Sequence, residues 1–151
     1  MMTIEEAIKQ SKFQDEFEKA DINIMFTANW MNSQFHQRLK PYGISQQQFN
    51  ILRILRGQKG HPAPLKLITE RMMDKMSNTS RLVDKMFKKG LLERKICDDN
   101  RRQVEIILTD AGLRACNEIS ELVESARKHD VKLTEEEARE LNRLLDKRRS
   151  E

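Results

Sequence analysis

Apolar positions along this chain follow two periods, and the switch between them locates its most informative segment. Thr79, Leu82, Val83, Met86 and Phe87 recur at i, i+3, i+4, i+7 and i+8, the one-sided stripe of an amphipathic helix. Asn78, Ser80, Arg81, Asp84, Lys85 and Lys88 fall on the opposite face. Ser77 is the expected N-cap and Gly90 the left-handed stop, which predicts a helix over 77–89. The period then shortens. Leu91, Leu92 and Ile96 lead into Cys97-Asp98-Asp99-Asn100-Arg101-Arg102, after which Val104, Ile106 and Leu108 alternate with Gln103, Glu105 and Ile107. Asp-Asp-Asn is turn chemistry, so the pattern predicts two strands joined by a charged hairpin tip and ending at Thr109.

The flanks read as helices. Residues 4 to 39 are expected to be helical with a break near Ser11. Phe13, Phe17, Ala20 and Ile24 make a stripe that Ile22, Met25, Phe26 and Trp30 widen beyond what one flank of a small lobe needs. Pro41-Tyr42-Gly43 ends that segment, and Ser45 with Gln48 is a capping box opening a helix whose Phe49, Leu52 and Leu55 face inward. Gly57 to Pro64 is a loop with room for a short strand. Pro64 is expected in the first turn of a helix over 64–72 that carries Leu67 and Ile68 to a turn at 73–76. The pair 64–72 and 77–89 is a helix-turn-helix. Thr109-Asp110 starts a helix to about Lys128, and Thr134 with Glu137 is a second capping box before a helix bearing Leu141, Leu144 and Leu145. The expected fold is therefore mostly α with a small β-hairpin wing: a winged helix-turn-helix lobe over 45–109, with long helical segments at 4–40 and 110–148, in a single domain spanning 1–151.

Helix followed by basic hairpin points to nucleic acid. Small hydrogen-bonding side chains and a cation at the start of the helix suit the base edges of a major groove, which makes Asn78, Thr79, Ser80, Arg81 and Lys85 the candidates there. Thr79 is the weakest, because it also lies on the apolar stripe. Arg101 and Arg102 would project from the wing tip, to neutralise phosphates or enter a narrow minor groove. A solvated helix face and a solubilising arginine pair are the bland alternatives; the two features together favour DNA. Charge agrees. Residues 61 to 103 hold eleven Lys or Arg against six Asp or Glu, whereas the remainder carries 17 against 18. All of the net +4 excess thus lies in the candidate lobe.

Other classes find little support. There is no Gly-rich phosphate loop, nucleophile elbow or zinc motif, and no catalytic residue, metal or cofactor is expected. His36, His61 and His129 are far apart, and two cysteines, Cys97 and Cys116, are too few for a disulfide framework. No run of 18 apolar residues occurs and MMTIEEAIKQ is not a signal peptide, so no membrane partner and a cytoplasmic location are expected.

The segments SRLVDKMFKKGLLERK, NRRQVEIILTDAG and SQQQFNILRIL resemble the MarR (multiple antibiotic resistance regulator) family of winged-helix transcription regulators. The family's wing pattern is Asp-x-Arg, five residues, Leu-Thr, two residues and Gly; Arg102, Leu108, Thr109 and Gly112 match in register, and Asn100 stands at the Asp position. The resemblance implies a homodimer interleaved through the segments at 4–40 and 110–148, reading a near-palindromic double-stranded operator. It also implies a repressor relieved by a small, often aromatic, effector, for which Trp30, His36 and Tyr42 are candidate lining residues; for Trp30 and Tyr42 core or interface packing is the preferred reading. Some relatives sense oxidants through a cysteine in the N-terminal region, and this chain has none there. The runner-up reading is a winged-helix protein-interaction module without DNA binding, motivated by Asn100; a third is non-specific binding to nucleic acid or an anionic surface.

Overall fold

A computed structural model describes residues 2–96 and 104–150. The elements run α1 (Ile4–Ile8), α2 (Glu16–Leu39), a 3-10 turn (Lys40–Tyr42), α3 (Gln46–Arg56), β1 (Ala63–Pro64), α4 (Leu65–Arg71), α5 (Thr79–Lys88), β2 (Leu92–Ile96), β3 (Val104–Leu108), α6 (Asp110–Asp130) and α7 (Glu135–Arg149). The sheet is antiparallel with β3 in the middle: Ala63 pairs with Ile106, and β2 pairs with β3 from Leu92 opposite Leu108 to Ile96 opposite Val104. A mostly helical chain with a small sheet is the winged-helix class expected from the pattern.

One continuous core holds the lobe together. Phe49, Ile51, Leu52 and Leu55 of α3 meet Ile68 of α4, Val83 and Met86 of α5, Leu92 and Ile106 of the sheet, and Cys116 and Ile119 of α6. From α2 only Leu39 is buried. Upstream of it Phe17 (82%), Met25 (66%), Trp30 (54%) and Met31 (58%) are exposed, and α7 has no buried residue. The lobe thus has its own core, while the flanking helices leave apolar faces uncovered within the single chain.

Local signals explain most boundaries. Both expected capping boxes form, Ser45 with Gln48 and Thr134 with Glu137, each satisfying a backbone amide at both ends of its first turn. Thr109 caps α6, and Gly90, at φ +70°, ends the chain's run out of α5. Three expectations need correction. The N-terminal break is broader than a kink near Ser11: α1 ends at Ile8, Lys9 adopts φ +55°, and α2 starts only after Asp15, whose Oδ1 accepts from the Glu18 amide at 2.8 Å. Pro64 lies before α4 rather than in its first turn. It occupies β1, a sheet edge where the missing N–H costs no ladder bond. Asn78, not Ser77, caps the recognition-helix candidate, because residues 74–77 are already folded into a turn in which Asp74 accepts the Met76 amide (3.0 Å) and the Ser77 amide bonds the Asp74 carbonyl (3.2 Å).

The join between hairpin and α6 is unusually close. A Cβ built on Gly112 would lie 2.1 Å from the Leu91 carbonyl oxygen. In an ordinary helix Gly→Ala stabilises by about 1 kcal/mol. Here the clash with backbone reverses the sign, since a carbonyl oxygen cannot rotate away as a side chain can. Gly112→Ala is expected to destabilise the protein by about 2 kcal/mol net, a fall of roughly 4–8 °C in Tm. Thermal unfolding by circular dichroism measures it, and a raised Tm would show that the approach is looser than described.

Candidate nucleic-acid interface

The helix-turn-helix is α4, the turn through residues 72–78, and α5. Met72 is extended (ψ 135°) and ends α4, and the Met73 amide donates to Asn50 Oδ1 at 2.9 Å, pinning the turn to α3. Asp74 gathers the Met76 amide, and that backbone bond, with help from the side chains of Ser77 and Gln47, holds its carboxyl below the usual carboxylate range. The turn therefore delivers α5 in a fixed direction. Asn78 Oδ1 accepts the Arg81 amide at 3.1 Å, which leaves the carboxamide nitrogen of Asn78 to face outward.

Residues Asn78, Ser80, Arg81 and Lys85 share the exposed face of α5, with Asp84 and Lys88 beside them. Thr79 does not. It is only 4% exposed and packs with Val83 and Met86 on the core side, so its side chain is not available to a groove. The apolar stripe, rather than the residue's hydrogen-bonding chemistry, decided its place. Arg101, Arg102 and Asn100 lie outside the described residues, as do Cys97, Asp98 and Asp99.

The structure adds a contact that sequence periodicity did not single out. Arg94 on β2 pairs with Asp84 on α5 (Nη2 to Oδ1, 2.6 Å), and its guanidinium lies 4.4 Å from the Phe87 ring centroid. Both charged partners are more than half exposed, so the pair contributes little to stability. Its effect is geometric: it fastens the root of the wing to the recognition-helix candidate and spends one carboxylate on a cation that would otherwise face outward. The signal was available in principle, as an acidic residue on a basic face ten positions before an arginine, but only the fold makes them neighbours.

The effector candidates do not converge. Trp30 opens onto a hollow of about 380 Å³ shared with Met2, Ile4, Ala7 and Phe26. His36 borders a different one, of about 590 Å³, with Lys40, Gln48, Leu82, Lys85 and Lys89. Tyr42 sits in the 3-10 turn, 36% exposed. Neither Trp30 nor Tyr42 is a core residue of the single chain, which corrects the core reading of both. Cys116 is buried between α3 and α6, and burial pushes its thiol up despite the opposing pull of Arg56 and Arg53. Little thiolate is available there for an oxidant. Among the described residues no group of three or more His, Cys, Asp or Glu is placed to hold a metal ion, and no helix is long and apolar enough to cross a membrane.

Recognition-helix geometry, a three-stranded wing and a capped return helix define the class as winged helix-turn-helix. Comparison with known proteins narrows it. The family model for the MarR family matches residues 44–104. The HTH-type transcriptional regulator PecS of Dickeya dadantii (strain 3937) is 35% identical over 108 residues, covering 69% of this chain and 64% of PecS. The MarR transcription factor from Planctomyces limnophilus is 29% identical, with a TM-score of 0.66 over 89% of this chain and 98% of that one. AbsC, a MarR family transcriptional regulator from Streptomyces coelicolor, is 25% identical, with a TM-score of 0.70 over 89% and 93%. The chain belongs to the MarR family.

Asn78 combines a structural and an outward-facing role, and two substitutions separate them. Asn78→Ala removes the cap and is expected to cost about 1 kcal/mol of stability. Asn78→Asp keeps the cap and suits the helix dipole, so stability holds, but it places a carboxylate toward phosphates. Duplex affinity should fall at least about tenfold in Asn78→Asp, in line with the cost of losing one base contact and adding repulsion. Denaturant melts and fluorescence anisotropy on the same preparations distinguish the two; an Asp variant that binds as well as the parent would move Asn78 out of the interface.

Proposed function

We propose that this protein is a transcriptional regulator that reads double-stranded DNA in a sequence-specific manner as a homodimer, acting as a repressor whose hold on DNA a small aromatic ligand relieves. The observation that carries the DNA reading is the face of α5. Asn78, Ser80, Arg81 and Lys85 are exposed together at the start of a helix whose other side is sealed into the core, within the segment 61–103 where eleven Lys or Arg stand against six Asp or Glu. Base reading falls to Asn78, Ser80 and Arg81, and phosphate contact to Lys85 and, from the wing, Arg101 and Arg102. The PecS relationship supports regulation of transcription as the output. The uncovered apolar faces of α2 and α7 support assembly into a dimer, and two-fold symmetry would set two α5 helices about one DNA turn apart over a near-palindromic site. For the effector, the support is the hollow beside His36, whose Leu82 wall and lysines suit an aromatic body carrying a negative charge.

A protein-interaction role without DNA keeps one observation in its favour: Asn100 at the wing position where the family has Asp, beside a wing root whose Arg94 is already engaged by Asp84. Selection decides between them. Genomic fragments are selected on the purified protein at near-physiological salt, in parallel with the Arg101→Ala, Arg102→Ala variant. The parent is expected to enrich a near-palindromic site. In the variant affinity falls, and the slope of log K against log salt becomes shallower by about 2 per subunit if both arginines neutralise phosphates. A folded parent that enriches no site overturns the DNA-reading role in favour of the interaction module. Steep salt dependence without enrichment assigns non-specific binding instead.

A further inference from the structure

Besides the shared core at Cys116 and Ile119, one cation ties the winged-helix lobe to α6. Arg56, in the last turn of α3, donates from Nη1 to Asn117 Oδ1 at 3.1 Å and to Ser120 Oγ at 2.9 Å. Ser120 Oγ in turn donates to the Cys116 carbonyl at 2.7 Å, so the contact is anchored to the α6 backbone. Arg56 is half-buried, and among the described residues no carboxylate pairs with it. Burying a guanidinium stem against neutral partners gains little that an apolar side chain of similar length would not gain. What the guanidinium adds is direction: a planar group with two acceptors, both on one helix, fixes rotation of α3 about α6.

That rotation matters for reading DNA. α3 is the spine of the lobe: Phe49, Leu52 and Leu55 pack against the core that also holds Val83 and Met86 of α5. A turn of α3 on α6 therefore carries α5 with it. One base pair of extra spacing between half-sites moves the second half-site by about 3.4 Å along the duplex and about 35° around it. Small lobe rotations are then the difference between accepting and rejecting a spacer.

We propose that Arg56 is a positioning residue: through Asn117 and Ser120 it sets the angle between lobe and α6, and so the half-site spacing that the dimer accepts. This rests on the DNA-reading dimer proposed above. Two variants test it from opposite sides. Arg56→Met keeps the stem and removes the donors; Asn117→Ala with Ser120→Ala keeps the arginine and removes its acceptors. Binding is measured to the site selected by the parent with its spacer unchanged, lengthened or shortened by one base pair. The parent is expected to prefer its own spacer by at least about tenfold, within the range of a single-position mismatch. Both variants should flatten that preference to about threefold or less, with Tm close to the parent's. A uniform loss of affinity at all three spacers, or an unchanged profile, would overturn the spacing role.

A second measurement uses no DNA. Spin labels at Lys88→Cys on α5 and Glu121→Cys on α6, in a Cys97→Ser background diluted with unlabelled chain, report the lobe-to-α6 distance. Arg56→Met should broaden or shift the distribution. An unchanged distribution sinks the positioning role even if DNA is bound. A parent that binds no duplex removes the spacing role together with the regulator reading, while the distance measurement still decides whether Arg56 positions the lobe.

Discussion

Three elements of this protein converge on one hydroxyl. Thr109 Oγ1 donates to the Gly90 carbonyl at 2.7 Å and accepts the Gly112 amide at 3.0 Å, while the Thr109 amide donates to the Leu91 carbonyl at 3.1 Å. Gly90 is where the chain leaves α5, Thr109 is where β3 ends, and Gly112 is in the first turn of α6. The exit of the recognition-helix candidate, the closure of the wing and the cap of the return helix are therefore one hydrogen-bonded knot. It closes only because residue 112 has no side chain, the Leu91 carbonyl filling the place of a Cβ. Were the knot loosened, wing and α5 would lose their common frame, since the sheet meets the helix otherwise through the exposed Arg94–Asp84 pair and the packing of Leu92 and Ile106. The Leu-Thr-x-x-Gly signature at 108–112 thus has a mechanical reading in this chain: core anchor, cap and close approach, in that order.

Much of this was legible in the sequence, for identifiable reasons. Capping boxes at Ser45 and Thr134 are local chemistry that needs no tertiary context, and they placed two helix starts correctly. The stripe through Val83 and Met86 sorted α5 into an inner and an outer face because a helix has one period and the lobe one core. Thr79 shows which of two legible signals wins: side-chain chemistry put it at the groove, periodicity put it inside, and burial followed periodicity. Errors arose where a local rule met a competing contact. Ser77 is as good a cap as Asn78 in isolation, but Asp74 had already drawn its amide into a turn. Pro64 fits a first turn, but pairing of β1 with β3 took it into the sheet. The contact of Arg56 with Asn117 and Ser120 was invisible for a different reason: Arg56 lies more than sixty positions before them, with no periodicity to connect it to their helix.

The distribution of apolar surface says something about what the isolated chain is. The core that runs from Leu39 to Ile119 is sealed; the large exposed apolar residues of the lobe include Met73 and Met76 in the helix-turn-helix turn and Val104 at the start of β3. The flanks do the reverse. Along α2, Phe17, Ile24, Met25, Phe26, Trp30 and Met31 are all at least 38% exposed, and Leu141 and Leu144 of α7 stand nearly half exposed. Isolated exposed apolar residues need no explanation, but a run of this length on one helix does. Ile4 of α1 is buried, and the flanks are tied further by polar links: Asp21 of α2 holds Arg148 of α7 through two bonds of 2.9 and 2.8 Å, and Lys19 of α2 meets Glu5 of α1 at 2.6 Å. The Asp21–Arg148 pair is exposed and worth little as stability, and the Lys19–Glu5 pair is half-buried. They fix the relative rotation of the flanking helices at the surface while leaving the apolar faces open, which is the division expected of helices whose burial is completed by a second chain.

Seen from DNA, the two sets of contacts have complementary tasks. The knot at Thr109 fixes α5, the wing and the first turn of α6 relative to one another, which in the proposed reading governs one half-site. The Arg56 contact, further along α6, fixes the rotation of α3 on that helix, and with it the proposed relation between two half-sites. The first depends on backbone groups and a glycine, so it has no soft mode short of unfolding the join. The second depends on side chains at a half-buried seam, where a rotation of α3 breaks two hydrogen bonds to neutral acceptors beside the buried Cys116 and Ile119. The hollow beside His36, where the effector is proposed to sit, is bordered by the end of α2, the start of α3 and Leu82, Lys85 and Lys88 of α5, and by no residue of α6. A ligand there would bear on the seating of α5 against α2 and α3 rather than on the Arg56 contact. For the proposed dimer a small change in either relation suffices, because affinity for a pair of half-sites collapses when their spacing no longer matches.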